Sequence, residues 1–448
     1  MDSLGVGGSG ATNTNAANVP DGAFPLSPAQ LGMWFAQHVD PSVPANIAQY
    51  VELVGDLDRG LLLDASARAA LEMGSGFLRF LEVDAQPYQL VDPTLDASIG
   101  YVDLRDADDP REAAMEWMRA DRSTPVDVLK DRLISATVLQ IGERRYFWYN
   151  RVHHLALDGF GAATFMTRIA ELYTAAVEGA EPSPNKASDV RTVYEAEIAY
   201  RNSPRFDTDR EYWSTIVDGI DEPTSLAGRP APPAPVSRID SAALGARVEE
   251  LVDHFTEREN TSLATAVIAA FAAYMAQMTG RTDVVLSLPV AARTTAVLRR
   301  SGSMVSNVVP LRLEVAAGTT VRQLVASATA AVSGALRHQR YRHEDIVRDA
   351  GSAAGGRSTF FGPWVNIMLF DNEVRLGDMV GRINILSTGL IEDLGVNVYK
   401  SGGTRTHIDF ESNPNLYGVQ ESRAHHARFV EFFDRFVAAD PEIGRAHV

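Results

Sequence analysis

Cysteine is absent from the 448 residues. That excludes disulfides, thiolate zinc sites, iron–sulfur clusters and every mechanism with a Cys nucleophile, and it leaves no redox argument about compartment. Positive charge is scarce: 41 Lys plus Arg stand against 58 Asp plus Glu, giving a net charge of −17 and a pI near 5.0. A field of that sign repels phosphate, so neither nucleic acid nor an anionic membrane is expected as the main partner, although a local basic pocket is not excluded. Long apolar runs are missing as well. The longest, Thr265 to Met278, has the length of one core helix and is too short to cross a bilayer. The N-terminus is rich in Gly, Ser and Asn, with no charged start and no apolar run, so no signal peptide is read and a cytoplasmic location is expected. No short-period repeat, G-x-S-x-G, P-loop or helix-opening G-x-G-x-x-G is found, which leaves nucleophilic-serine and nucleotide-binding readings without support.

At 45% hydrophobic and 22% charged residues, the chain has the composition of a globular protein of two to three domains or two large lobes. Residues 1–23 are small and polar and read as a flexible linker or expression remnant. Order is expected from Phe24, with Ser27 as N-cap and Pro28 opening a helix that carries Leu31, Trp34 and Phe35 on one face. Leu133–Ile141 and Tyr146–Val152, rich in aromatic and β-branched residues, predict a hairpin. Phe160–Val177, Leu263–Met278 and Val321–Leu336 predict helices, and Val284–Leu288 and Val308–Leu313 predict strands. The turn-rich Pro182–Lys186 stretch divides a first lobe, 24–184, from a second, 185–440, and the Pro230–Pro235 cluster reads as a surface excursion. The class is α/β (α+β).

One segment carries chemistry: Val152-His153-His154-Leu155-Ala156-Leu157-Asp158-Gly159. A loop between a strand and a helix projects a side chain while its flanks hold it still. Histidine titrates nearest neutrality and can take a proton from an attacking amine or alcohol. Asp158 has two readings, a brace for the loop or simply the N-cap of the following helix. Gly159 allows close backbone approach. Metal binding is not expected, because adjacent His153 and His154 point opposite ways when extended and no third ligand has a recognisable spacing. His425-His426, in a Phe-rich C-terminal helix, reads as packing or surface. Arg337–Arg348, interleaved with acids, reads as a solvated face able to meet a phosphate.

His153 to Gly159 resembles the HHxxxDG signature of nonribosomal peptide synthetase condensation domains. The resemblance extends in order along residues 24–440: Ser27–Trp34 for the opening S-x-A-Q-x-x-x-W, Leu288–Arg293 and Gly302–Asn307 for the P-V-x-x-R and G-x-x-x-N stretch, His338–Glu344 for H-Q-x-x-x-x-E, and Phe361–Asn366 for F-x-P-x-V-N. It departs from the family where R-H-x-x-L-R becomes Met73–Arg79, keeping only Leu78-Arg79. With Phe361–Asn366 and Ile391–Leu394, this variant is most similar to the siderophore-synthetase branch, such as the enterobactin elongation domain. The chain ends just after Asp440-Pro441, so 441–448 reads as the start of a linker toward an adenylation domain, and the whole as one domain of a multimodular enzyme.

The resemblance implies two chloramphenicol-acetyltransferase-like lobes in a V-shaped pseudo-dimer, with the active site at their interface. It implies upstream donor and downstream acceptor carrier proteins whose phosphopantetheine thioesters meet there, and no cofactor bound by the domain itself. By the same resemblance His154 is the acid–base or positioning group, His153 orients the loop, and Asp158 pairs with Arg293. Gly159 offers its N–H to the reacting carbonyl, and Asn366 and Ser306 bind substrate. A coenzyme A acyltransferase of the chloramphenicol type is about half this length. Plant-type acyltransferases carry a D-F-G-W-G element not found here. Epimerase, heterocyclising and inactive-platform relatives fit the intact motif less well.

Overall fold

The first helix begins as its sequence dictates. In the computed structural model Ser27 Oγ accepts from Gln30 N at 3.3 Å, while the Gln30 side chain accepts from Ser27 N at 2.8 Å, a reciprocal cap on Pro28–Val39. The structure describes residues 19–440 and 442, apart from 42, 221, 355–361, 370–372, 390 and 402–404. The polar start at 1–18, Phe361 and nearly all of the C-terminal 441–448 linker therefore lie outside the described residues.

The fold is mixed α/β, built on two six-stranded sheets and a small three-stranded one. The predicted hairpin is Ile134–Gly142 against Arg145–His153, antiparallel, at the heart of the first large sheet. Asn46–Val54 pairs along the other edge of Arg145–His153, and Gly100–Asp103 runs parallel to Ile134–Gly142. The second large sheet runs in the order Asn307–Glu314, Asp283–Val290, Trp364–Met368, Leu394–Ser401, Arg405–Ser412 and Arg238–Ala243. The helix Leu263–Thr279, mean-buried along Ala266 to Ala276, fills the core beneath that sheet, together with Phe410, Phe429 and Phe433. Among the described residues no single helix is long and apolar enough to cross a membrane.

The two sheets define two lobes, each with its own core, but the chain does not divide simply at residue 184. Glu373–Leu376 and Met379–Thr388 leave the second lobe and extend the first sheet, Met379–Thr388 pairing antiparallel with Asn46–Val54. Val374, Leu376, Met379 and Ile383 are buried in the first core, and that burial holds the crossing in place.

The stretch Arg337–Arg348 is not a solvated face. Arg342 is buried and pairs with Glu197 of the helix Val190–Arg201, donating also to the carbonyls of Val305 (2.8 Å) and Ser306 (2.9 Å). Arg340 joins the same carboxylate at 3.0 Å. A cation enters an interior when its charge and donors are met, and Glu197, distant in sequence, meets them. His338 Nδ1 lies 2.7 Å from Asp209 and its ring stacks on Tyr212. His425 and His426 pack on Tyr274 and on the carbonyl of Ile408.

Candidate active site

The strand Arg145–His153 ends at the pair of histidines, and the two rings meet different surroundings. His153 is 1% exposed. Its Nδ1 accepts from Leu155 N at 3.2 Å, which leaves Nε2 to donate to Gln37 Oε1 at 3.1 Å, so both nitrogens are spent on holding the loop. Burial, then the neighbouring His154 and Arg151, pushes its pKa down to about 3.

His154 is half-buried. Its backbone N–H is fixed on Ala45 O at 2.8 Å, while buried Nδ1 has no partner among the described residues and no hydrogen bond engages Nε2. Burial lowers its pKa below the ordinary 6.5 against the opposing pull of Asp158, so the ring is neutral at neutral pH and keeps a nitrogen lone pair able to accept a proton. A Cβ on Gly389 would stand 3.2 Å from His154 Cδ2. The glycine, at φ +110°, thus lets the crossing segment pass along the ring edge.

Because both histidines are held neutral, the unfolded chain binds more protons than the fold below its ordinary pKa of 6.5. Their contribution to stability is complete above pH 6.5 and erodes as pH falls toward about 3, where His153 finally charges in the fold. Urea midpoints measured from pH 7.5 to 4 are expected to fall more steeply for the native chain than for His153→Asn. Parallel curves would contradict the assignment.

Asp158 satisfies both readings at once. Its Oδ1 caps the helix Gly159–Glu178 by accepting from Gly161 N at 2.7 Å, and the carboxylate grips Arg293 in two-pronged fashion, at 2.8 and 2.9 Å. Oδ2 also accepts from Val305 N (2.9 Å) and Ser306 N (2.7 Å). Burial alone would raise its pKa, but Arg293 and these donors outweigh burial and hold it below the ordinary range. Arg293 donates onward to the carbonyls of Ala291 and Ser303 and lies 4.5 Å from the centre of the Phe160 ring. The motif loop of the first lobe is thereby fastened to 291–306 of the second. Val193, Ala292, Leu298 and Val305 form a small apolar cluster alongside.

Of the remaining sequence candidates, Gly159 opens the helix and is exposed. Ser306 enters the clamp through its backbone N–H. Asn366 donates to Asn397 (3.1 Å), which donates to Glu411 (3.0 Å). Glu411 also accepts from Thr388, the neighbour of Gly389, so a hydrogen-bonded chain leads from Asn366 toward the segment beside the histidine. Gln37 and Gly389 were not legible as site residues, because a lone Gln on a helix and a Gly after a strand carry no pattern.

Taken together, a neutral imidazole with unengaged nitrogens stands where two lobes are bolted by a buried ion pair. It can accept or share a proton. Among the described residues no group of three or more His, Asp or Glu is placed to hold a metal.

Comparison with known proteins agrees with this geometry. A family model described as "Condensation domain" matches residues 21–441. A dimodular nonribosomal peptide synthase of Bacillus subtilis is 32% identical over 93% of this chain and 18% of its own length. Enterobactin synthase component F of Escherichia coli is 29% identical over 94% of this chain and 33% of its own. The chain thus spans about a fifth to a third of the length of these curated relatives. Among solved structures, a mutant starter condensation domain of rhizomide synthetase in complex with C8-CoA and Leu-SNAC superposes with a TM-score of 0.89 at 31% identity, covering 95% of this chain and 97% of that one.

Proposed function

The chain belongs to the condensation-domain family, and on that footing we propose that it joins two carrier-bound acyl groups by an amide bond. The acceptor's α-amine attacks the donor's thioester carbonyl. A C–N bond forms, the C–S bond breaks, and the amine's proton leaves with the donor thiol. A thioester is already activated, so no enzyme nucleophile is required, in keeping with a chain that has no cysteine and no serine elbow. Much of the acceleration comes from holding amine and thioester together, the rest from a group that manages the proton and the developing charge.

The observation that carries this reading is His154: neutral, half-buried, its ring nitrogens without partners among the described residues, at the seam between lobes. In our reading its free nitrogen takes or positions the amine's proton. His153 and Gln37 fix the loop, the Asp158–Arg293 pair fixes the seam, and the N–H of Gly159 points toward the reacting carbonyl. Asn366 and Ser306, held by Asn397 and Asp158, bind substrate in this reading. The partners are an upstream donor carrier and a downstream acceptor carrier, with an adenylation domain adjacent. The substrates ride on phosphopantetheine, and the work is cytoplasmic. Relatives that include enterobactin synthase component F support a siderophore pathway, and the resemblance to that branch implies an L-configured donor.

A second reading, with a fatty acyl group as donor, is favoured by one observation: the similar rhizomide starter domain was solved with C8-CoA. Free thiol released from the donor decides between them. Release is expected from an aminoacyl-loaded carrier when an aminoacyl-loaded acceptor is present. Release only from acyl-loaded carriers selects the second reading, and release only from free acyl-coenzyme A overturns the carrier-based mechanism.

A further inference from the structure

Arg122 ends the helix Pro110–Arg122, and it is an unusual arginine. It is half-buried, and its guanidinium has no hydrogen bond or ion pair among the described residues. The opposite charge it feels most is that of Glu411. That carboxylate is already committed, accepting from Ser237 at 2.6 Å and from Thr388 and Asn397 at 3.0 Å. Among the described residues other buried cations are matched, as Arg293 is by Asp158 and Arg342 by Glu197. A half-buried guanidinium with no partner of its own keeps its donors for a group that enters beside it.

Its location says what arrives. Arg122 lines a small polar cavity with Asn46, Ser123, Ser237, Ser387 and Gly389, the last of which passes against the His154 ring. The backbone fixes the proximity from the other side. Asn46 donates to the carbonyl of Arg122 at 3.0 Å, and Ala45, its neighbour, accepts from His154 N at 2.8 Å. Arg122 also lines an outer groove between the lobes, with Arg119, Met115, Ile239, Ile385 and Leu386. Arg122 is therefore common to two spaces, one of which is also lined by the Gly389 segment that passes the imidazole.

We propose that Arg122 is a specificity-determining residue that holds the side-chain carboxylate of an acidic aminoacyl group brought to His154. The planar fork matches a carboxylate with two parallel hydrogen bonds. The phosphodiester of a carrier arm is the other anion in the system, but it sits a pantetheine length from the thioester, whereas Arg122 shares its cavity with Gly389, which passes against the His154 ring. The proposal rests on the condensation reading above.

The test compares glutamyl- with glutaminyl-loaded carriers, placed in turn as donor and as acceptor, and repeats the comparison with N-acetylcysteamine thioesters, which carry no phosphate. The native chain is expected to favour the glutamyl substrate in one of the two positions. Arg122→Gln is expected to lower the glutamyl-to-glutaminyl rate ratio by about ten- to a hundredfold, the range for a hydrogen bond to a charged group. Arg122→Lys, which keeps the charge, is expected to retain part of the preference, and it decides the matter should the glutamine variant fold poorly. A native chain indifferent to the carboxylate in both positions overturns the proposal. So does a loss equal for both substrates that disappears with the phosphate-free thioesters, which would assign Arg122 to the arm instead. If no loaded pair yields amide, the condensation reading itself has failed.

Discussion

Alanine in place of His154 is expected to cut amide formation by about 10²–10⁴-fold, the usual contribution of a positioned proton-transfer group, while leaving thermal unfolding almost unchanged. The two halves of this expectation come from one observation. The imidazole is engaged by no hydrogen bond among the described residues, and its buried Nδ1 is already orphaned, so truncation strands no partner. What disappears, on the proposed mechanism, is the nitrogen that takes or positions the amine's proton. His153→Ala should behave in the opposite way, because it strips Leu155 N of its acceptor and Gln37 of its donor. Single-turnover rates beside calorimetry for the two variants separate chemistry from scaffolding. His154→Ala turning over at the native rate would remove the imidazole from the reaction.

The second large effect is on stability. Asp158→Ala leaves Arg293 buried without its counter-ion and takes the acceptor from Gly161, Val305 and Ser306. Breaking one side of a buried pair costs about 3–5 kcal/mol, and loss of the helix cap adds about 1 kcal/mol. Activity should fall with it, since the same carboxylate ties the histidine loop to the second lobe. A cation left alone is the main source of the penalty, so Asp158→Ala combined with Arg293→Met is expected to be more stable than Asp158→Ala alone. Urea denaturation of the single and double variants checks this. An unchanged midpoint for Asp158→Ala would refute the bracing role.

Local chemistry was legible, and long-range pairing was not. The hairpin, the Ser27 cap and the helix after Asp158 follow from residues within a few positions of one another. The double duty of Asp158 was only half readable, because a cap is local, whereas the partner Arg293 lies 135 residues on and was reached by resemblance. The burial of Arg342 depends on Glu197, 145 residues earlier, so a run of alternating charges looked solvated when it was not. The return of Met379–Thr388 to the first sheet left no trace in composition. A strand added at a distant edge has the same alternation as one added next door. Arg122 escaped notice for a related reason: what marks it is a partner it does not have.

The most direct measurement of the central claim is the intact mass of the acceptor carrier after mixing with a loaded donor carrier and the enzyme. With the native chain the acceptor should gain the mass of the donor's acyl group, and with His154→Ala it should keep its starting mass over the same interval. An acceptor that gains no mass with the native chain, or gains it equally with the variant, would contradict the account.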